Sequence, residues 1–212
     1  MSRVIVTRPR AQAGPIVERL EALGHEVVMC PLIEIEPLPP EPIDTTDYDW
    51  VVVTSPNGAE HFDRRRTGDL PRVAAIGPGT AEVLRSRGIE PALVAGDTRQ
   101  EGLIAEFPRP PGRVLFAAAE GSRRHLIDAL GAEFVALYRT VLVEPDTPPE
   151  GDLVVLASGS AARSFARLGL DVPVVSIGPH TTRAAERLGL RVVAEATTHD
   201  LDGLVAAVDS AA

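Results

Sequence analysis

The chain contains no lysine: all 21 of its basic side chains are arginine. Without a lysine amine there is no Schiff-base chemistry, no attachment point for pyridoxal phosphate and no P-loop lysine. A single cysteine, Cys30, excludes an internal disulfide framework and a multi-cysteine metal site. Aromatic residues make up 4% of the chain, too few for stacking along single-stranded nucleic acid, so a core must be assembled from Val, Leu, Ile and Ala. Positive charge is outweighed too, and the formal net charge of -9 disfavours binding to polyphosphate. No apolar run approaches the roughly 20 residues of a membrane span. The opening Met-Ser-Arg-Val-Ile-Val reads as a strand rather than a signal peptide. These absences lead to the expectation of a cytoplasmic protein with neither a nucleic-acid nor a membrane partner.

What the chain does have is itself, twice. Residues 48–62, YDWVVVTSPNGAEHF, align with 151–165, GDLVVLASGSAARSF, so that Asp49 matches Asp152 and Ser55 matches Ser158, each 103 positions on. Residues 74–88 align with 175–189 at an offset of 101 and share Ile-Gly-Pro-x-Thr and a closing Gly. Glu101-Gly102-Leu103 matches Asp202-Gly203-Leu204 at that same offset, and Gly24-x-Glu26-x-Val28 is echoed by Gly131-x-Glu133-x-Val135. Each repeated unit reads as a short β-branched run, a helix-opening signal and an amphipathic stretch. Strands are predicted near 4–7, 27–29, 51–54, 73–76, 92–94, 114–117, 134–138, 153–157, 174–177 and 192–194. The fold class is therefore α/β with parallel sheets and right-handed crossovers.

Two acidic, proline-rich breaks interrupt this pattern, Glu36–Pro42 and Glu144–Gly151. They predict a discontinuous first α/β domain of residues 1–36 and 145–212 and a second of residues 41–143, with two sequential domains split near residue 110 as the alternative.

In open parallel sheets ligands bind beyond the carboxyl ends of the strands. The residues there share a chemistry: Thr7-Arg8-Pro9, Ser55-Pro56-Asn57-Gly58, Gly77-Pro78-Gly79-Thr80, Ser158-Gly159-Ser160 and Gly178-Pro179-His180-Thr181 all place hydroxyls at helix openings. Hydroxyl caps beside unpaired backbone amides suit a carboxylate or phosphate, although any one of them serves equally as a simple helix cap. Rival chemistries lack their signatures. Gly77-Pro78-Gly79 has no third glycine for a dinucleotide, the five histidines show no ligand spacing and mostly read as surface residues, and Ser158 sits in no nucleophile elbow. Tyr138 breaks the internal symmetry by standing where the repeat has Pro31. It is placed to project its hydroxyl from the sheet edge as a proton or hydrogen-bond donor, or else simply to pack.

Val4-Ile-Val-Thr-Arg-Pro9, Val51-Val-Val-Thr-Ser-Pro-Asn-Gly58, Ala75-Ile-Gly-Pro-x-Thr80, the Leu-Tyr-Arg-Thr around Tyr138 and Ser176-Ile-Gly-Pro-x-Thr-Thr182 together resemble the uroporphyrinogen-III synthase family across nearly the whole chain. The resemblance implies two flavodoxin-like domains joined by a two-stranded linker, with a substrate cleft between them. It implies no cofactor and no metal. The implied substrate is a small molecule, the linear tetrapyrrole hydroxymethylbilane, which loses water and closes with its last pyrrole inverted, through a spiro intermediate; the chain is expected to act as a monomer. By motif, Tyr138 is the catalytic candidate and Thr7, Arg8, Ser55, Thr80, Ser158 and Thr181 the substrate-binding ones. Residues 116–123 depart from the family pattern, and Arg123 and Arg124 are the candidates to compensate. A non-catalytic module of the same fold that senses a tetrapyrrole or another polyanion is the alternative reading.

Overall fold

A computed structural model describes all 212 residues. The chain begins with β1 (Arg3–Val6), α1 (Arg10–Ala22), β2 (Glu26–Met29), β3 (Ile33–Pro37) and β4 (Ile43–Asp44). It continues through β5 (Trp50–Val53), α2 (Pro56–Arg65), β6 (Arg66–Thr67), β7 (Arg72–Ala75), α3 (Pro78–Ser86), β8 (Leu93–Val94) and α4 (Gln100–Glu106). Next come β9 (Val114–Ala119), α5 (His125–Leu130), β10 (Glu133–Leu142), β11 (Leu153–Leu156) and α6 (Gly159–Arg167). The last elements are β12 (Val174–Ser176), α7 (Pro179–Arg187), β13 (Val192–Glu195) and α8 (Leu201–Ala211). All ten strands expected from hydrophobic runs are present, with β3, β4 and β6 in addition. No helix is long and apolar enough to cross a membrane.

The strands assemble into mixed α/β structure with parallel sheets. One sheet has the order β13-β12-β11-β1-β2, with every pairing parallel, Val4 lying between Leu153 and Val27. The other has the order β3-β10-β9-β5-β7-β8, with β10 to β8 paired in parallel throughout. The internal duplication is visible in this topology. Read as β2-β1-β11-β12-β13 and β10-β9-β5-β7-β8, the sheets match strand for strand, and the matched sequence segments occupy matched places. Only the chain order differs, since β1 and β2 precede their partners whereas β9 and β10 follow theirs.

By packing, the chain forms two compact units, Met1–Ile35 with Thr140–Ala212, and Glu36–Arg139. The chain passes between them within β3 and within β10, which are hydrogen-bonded neighbours. The second passage thus lies in a strand, upstream of the proline-rich segment 144–151, because the β-branched run of β10 extends on to Leu142.

Each unit is built on central strands apolar on both faces. In the first, Val4, Val6 and Val155 join Ile16, Leu20, Leu204 and Val208 on one side. Ile5, Val154 and Leu156 join Leu32 and Phe165 on the other, as the alternation of side chains along a strand requires. In the second, Trp50, Val52, Phe107, Phe116 and Leu126 form a shared core. Strands buried in this way have little tolerance for backbone strain at their entrances. Gly112, just before β9, has a φ of +71°, and a Cβ there would run into the Asp49 carboxylate, which accepts the Arg113 N–H at 2.7 Å. Gly131 has a φ of +64° with open space around it. Gly131→Ala is expected to cost about 1–2 kcal/mol, the left-handed backbone penalty alone. Gly112→Ala is expected to cost more, because Asp49 must also give way; urea unfolding of the two variants side by side measures the difference.

Candidate functional site

Parallel pairing directs the carboxyl ends of β13, β12, β11, β1 and β2 to one edge of their sheet and those of β10, β9, β5, β7 and β8 to one edge of theirs. The chain order reverses between β1 and β11 in one sheet and between β5 and β9 in the other, which is where open α/β sheets leave a crevice. The candidate residues lie in the loops around these two points.

In the second unit, Ser55 follows β5 and caps α2: its Oγ accepts the Gly58 N–H at 2.9 Å. Pro56 occupies the first helical position, where its missing N–H costs nothing. The same Oγ lies 2.9 Å from the Tyr138 hydroxyl. Tyr138 lies midway along β10, at the last residue of that strand to pair with β9, and its side chain reaches past β9 to the turn after β5. A register shift between Ala136 and Tyr138 against β9 marks a bulge, which re-aims the side chain that follows it. β10 is an interior strand and Tyr138 is 6% exposed, so the hydroxyl is buried against Ser55 instead of standing free at the carboxyl edge of the sheet. Burial pushes the phenol up from its ordinary value, while hydrogen bonds from Ser55 and Asn57 pull the other way. The net effect is a phenol that stays protonated and able to donate.

In the first unit, Thr7 is fully buried and its hydroxyl donates to the Val155 carbonyl at 2.8 Å, tying β1 to β11 across the point of reversal. Thr7 is therefore not a helix cap; Pro9 holds that position in α1 and makes no side-chain capping bond. Arg8 follows it. Its Nε reaches the Gln12 carbonyl at 3.3 Å, and burial without a carboxylate partner lowers its pKa. A half-buried guanidinium without a counter-charge is receptive to an anion. Ser158 repeats Ser55, capping α6 through Ala161 N–H at 3.1 Å.

Thr80 and Thr181 are buried within the first turns of α3 and α7, whose caps are the glycines Gly77 and Gly178 without any side-chain capping bond. Of the five expected hydroxyl caps, then, only Ser55 and Ser158 are caps. The structure brings Ser55 and Tyr138 into contact, sets Thr7 against β11, and leaves Thr80 and Thr181 at helix openings of their own. Arg123 is engaged by Glu101 at 2.7 Å, which holds that carboxyl down to about 2, so it is not a free cation for a ligand.

Three residues that no motif singles out as functional surround the phenol: Asn57, His61 and Arg65, all on α2. His61 is 8% exposed rather than on the surface, and its ring stacks on Tyr138 with centroids 5.5 Å apart. The helical spacing of Gly58, His61, Phe62 and Arg65 is the signal that could have placed it on an inward face. A cavity of about 570 Å³ opens elsewhere in the first unit, beside Cys30, and its rim carries Glu34, Glu144 and Asp146 against Arg10. That balance repels a polyanion.

The fold and these loops define a parallel α/β protein that offers hydroxyls, amides, a half-buried guanidinium without a carboxylate partner and one neutral phenol in place of a charged acid–base pair. The chain belongs to the uroporphyrinogen-III synthase family: the profile of uroporphyrinogen-III synthase HemD matches residues 14–206. It is 29% identical to the uroporphyrinogen-III synthase of Synechococcus elongatus over 97% of this chain and 94% of that one. With the enzyme of Chlorobaculum parvum it shares 30% identity over 91% and 92%. Its fold is like that of a mutant uroporphyrinogen III synthase from Thermus thermophilus, with a TM-score of 0.67, 16% identity and coverage of 100% and 98%. The Helicobacter pylori synthetase gives 0.66, 15% and 99% of both chains.

Two outcomes follow from this geometry. Ser55→Ala and Ser158→Ala are each expected to cost about 0.5–2 kcal/mol of stability through the lost cap, whereas Thr80→Ala and Thr181→Ala lose no cap, which denaturant unfolding resolves. In a Tyr48→Phe background Tyr138 is the only tyrosine, and absorbance titration at alkaline pH should place its ionisation above the ordinary tyrosine value of about 10.

Proposed function

We propose that the chain closes hydroxymethylbilane to uroporphyrinogen III with inversion of the last pyrrole, in a cleft between two flavodoxin-like domains joined by two strands. The discontinuous first domain would be residues 1–36 with 145–212 and the second 41–143; the division into packed units and the shared strand order support this reading. The observation that carries the proposal is the buried, Ser55-bound phenol of Tyr138 in a chain whose family match spans residues 14–206.

The chemistry asks for orientation first. In the reaction the hydroxymethyl C–O bond breaks and the oxygen leaves as water, and the substituted α-carbon of the terminal pyrrole bonds to the freed methylene. The bond from that carbon to its original bridging methylene then breaks, the ring's free α-carbon captures that bridging methylene, and the proton on it is finally released. No net oxidation occurs, so no redox cofactor is called for. Because the bilane also closes directly without inversion, the protein's task is to hold the end pyrroles so that attack from the substituted carbon wins.

Tyr138 supplies the proton or hydrogen bond to the leaving oxygen. Ser55, whose lone pair is already taken by Gly58 N–H, turns its own proton toward the phenol oxygen as negative charge develops there. Arg8, Thr80, Ser158 and Thr181 would receive the substrate carboxylates, with the backbone amides of the helix openings after Thr7 and Ser55 beside them. Arg8 is the one cation among them, and its lack of a carboxylate partner supports the role. A single chain supplies every group invoked, so a monomer suffices.

Incubation with freshly prepared hydroxymethylbilane and separation of the product isomers tests the proposal: the type III product is expected, and type I alone would overturn it. Tyr138→Phe is expected to lower kcat by about 10²–10⁴; wild-type turnover would reduce Tyr138 to packing. Arg8→Gln is expected to raise KM about ten-fold with little change in kcat, as loss of a charged contact made in ground and transition states alike.

A further inference from the structure

The residues around Tyr138 are not scattered over the fold. They come from one helix. Ser55 caps α2, Asn57 lies in its first turn, and His61 and Arg65 follow one helical turn apart on the face that also buries Gly58 and Phe62. His61 covers the phenol ring at a centroid distance of 5.5 Å with the planes 30° apart, an offset stack. Arg65 acts on the backbone: its Nη1 donates to the Ala136 carbonyl at 3.1 Å, at the bulge that re-aims Tyr138, and its Nε donates to the Glu41 carbonyl at 3.0 Å. A bulge leaves ladder groups without their strand partner, and the Arg65 guanidinium satisfies one of them.

We propose that His61 and Arg65 are positioning residues of the synthase reaction: His61 clamps the ring of Tyr138 and Arg65 fixes the bulge behind it, so that the phenol hydroxyl keeps one direction while its proton is donated. The inference rests on the functional reading given above, since it concerns the same phenol.

Three independent constraints then act on Tyr138, one at the hydroxyl from Ser55 and Asn57, one on the ring face, and one on the Ala136–Leu137 peptide at the bulge. A phenol held only at its hydroxyl would follow whichever acceptor is stronger, and a substrate oxygen competing with Ser55 would pull the ring with it. The stack and the pinned bulge prevent that motion. His61 suits the role as a flat neutral ring: burial is the largest cause lowering its pKa, and the nearby Arg64, Arg65 and Arg87 add to this against Glu60. A neutral imidazole adds no charge beside the phenol and does not compete for its proton.

The test uses the whole protein carrying Tyr48→Phe, so that Tyr138 is the only titrating phenol, and reads two quantities in parallel. In this background His61→Ala is expected to bring the phenol ionisation down toward about 10 and to lower kcat about ten-fold with KM nearly unchanged. His61→Phe, which keeps a flat ring, should restore most of both. Arg65→Ala should move the same two readouts as His61→Ala, and on a Tyr138→Phe background neither alanine substitution should lower kcat further. Folded His61→Ala and Arg65→Ala proteins with wild-type phenol titration and wild-type kcat would overturn the proposal. So would an equal loss of kcat on the Tyr138→Phe background, which would show that these residues act elsewhere. The titration needs no substrate; if the protein formed no type III product, the functional reading would fail while the clamp was still measured.

Discussion

Parallel pairing of strands is the constraint from which the rest follows. A parallel strand cannot return by a tight turn, so β1, β5, β7, β9, β11 and β12 are each followed by a helix, which begins beside the carboxyl ends of neighbouring strands. Seven residues, six from five strand-to-helix connections and their first turns and Tyr138 from within β10, become candidates for a ligand only because this rule puts strand ends of a sheet on one edge. The same rule explains why the polar groups available there are of one kind. Helix openings present unpaired N–H groups, and what supplements them is whatever the first turn carries: Ser55 and Ser158 as caps, Thr80 and Thr181 inside the helix, and Thr7 spent on the β1 to β11 tie.

The electrostatics are economical. The chain carries an excess of acid, and many of its arginines are committed to surface pairs such as Arg113 with Glu133 and Arg139 with Glu36, each 2.8 Å or closer. Such exposed pairs contribute little stability, but they remove cations from competition for a ligand. Arg8 differs by being half-buried and without a carboxylate. On the reading proposed above, an acidic protein attracts an anion at Arg8 without a basic surface, which would gather polyanions indiscriminately.

How much of this is legible in the sequence depends on the physics of each feature. The central strands are readable because a strand buried on both faces leaves a short, nearly continuous apolar run, as in Val51-Val52-Val53 and Leu153-Val154-Val155-Leu156, and the flanking strands are readable because they recur at the repeat's spacing. Strand β3 is not, although Ile33-Glu34-Ile35-Glu36 alternates, because the prolines that follow make the stretch read as a linker. The caps at Ser55 and Ser158 announce themselves through Ser-Pro and Ser-Gly at strand ends. Thr7 looks the same, yet its hydroxyl finds a carbonyl on β11, a partner 148 positions away that no local pattern can reveal. The direction of the Tyr138 hydroxyl depends on a bulge, and a one-residue register shift leaves no mark in composition. His61 reads as a surface residue because histidine usually is one; its burial is decided by which face of α2 meets the sheet.

The repeated glycines tell something about the history of the chain. A Cβ at Gly77 would lie 2.6 Å from the Thr98 methyl, and one at Gly178 would lie 2.7 Å from the His199 ring. Gly102 and Gly203 are likewise crowded by the backbone oxygens of Asp97 and Thr198, one repeat apart. After the ancestral duplication each half inherited its own copy of these collisions and had to keep avoiding them separately. Threonine and aspartate in one half could drift to histidine and threonine in the other, since those residues only need to be near. The glycines could not drift, because the space they leave empty is part of the blueprint. Internal symmetry survives in this chain in empty space as well as in matched side chains such as Ser55 and Ser158.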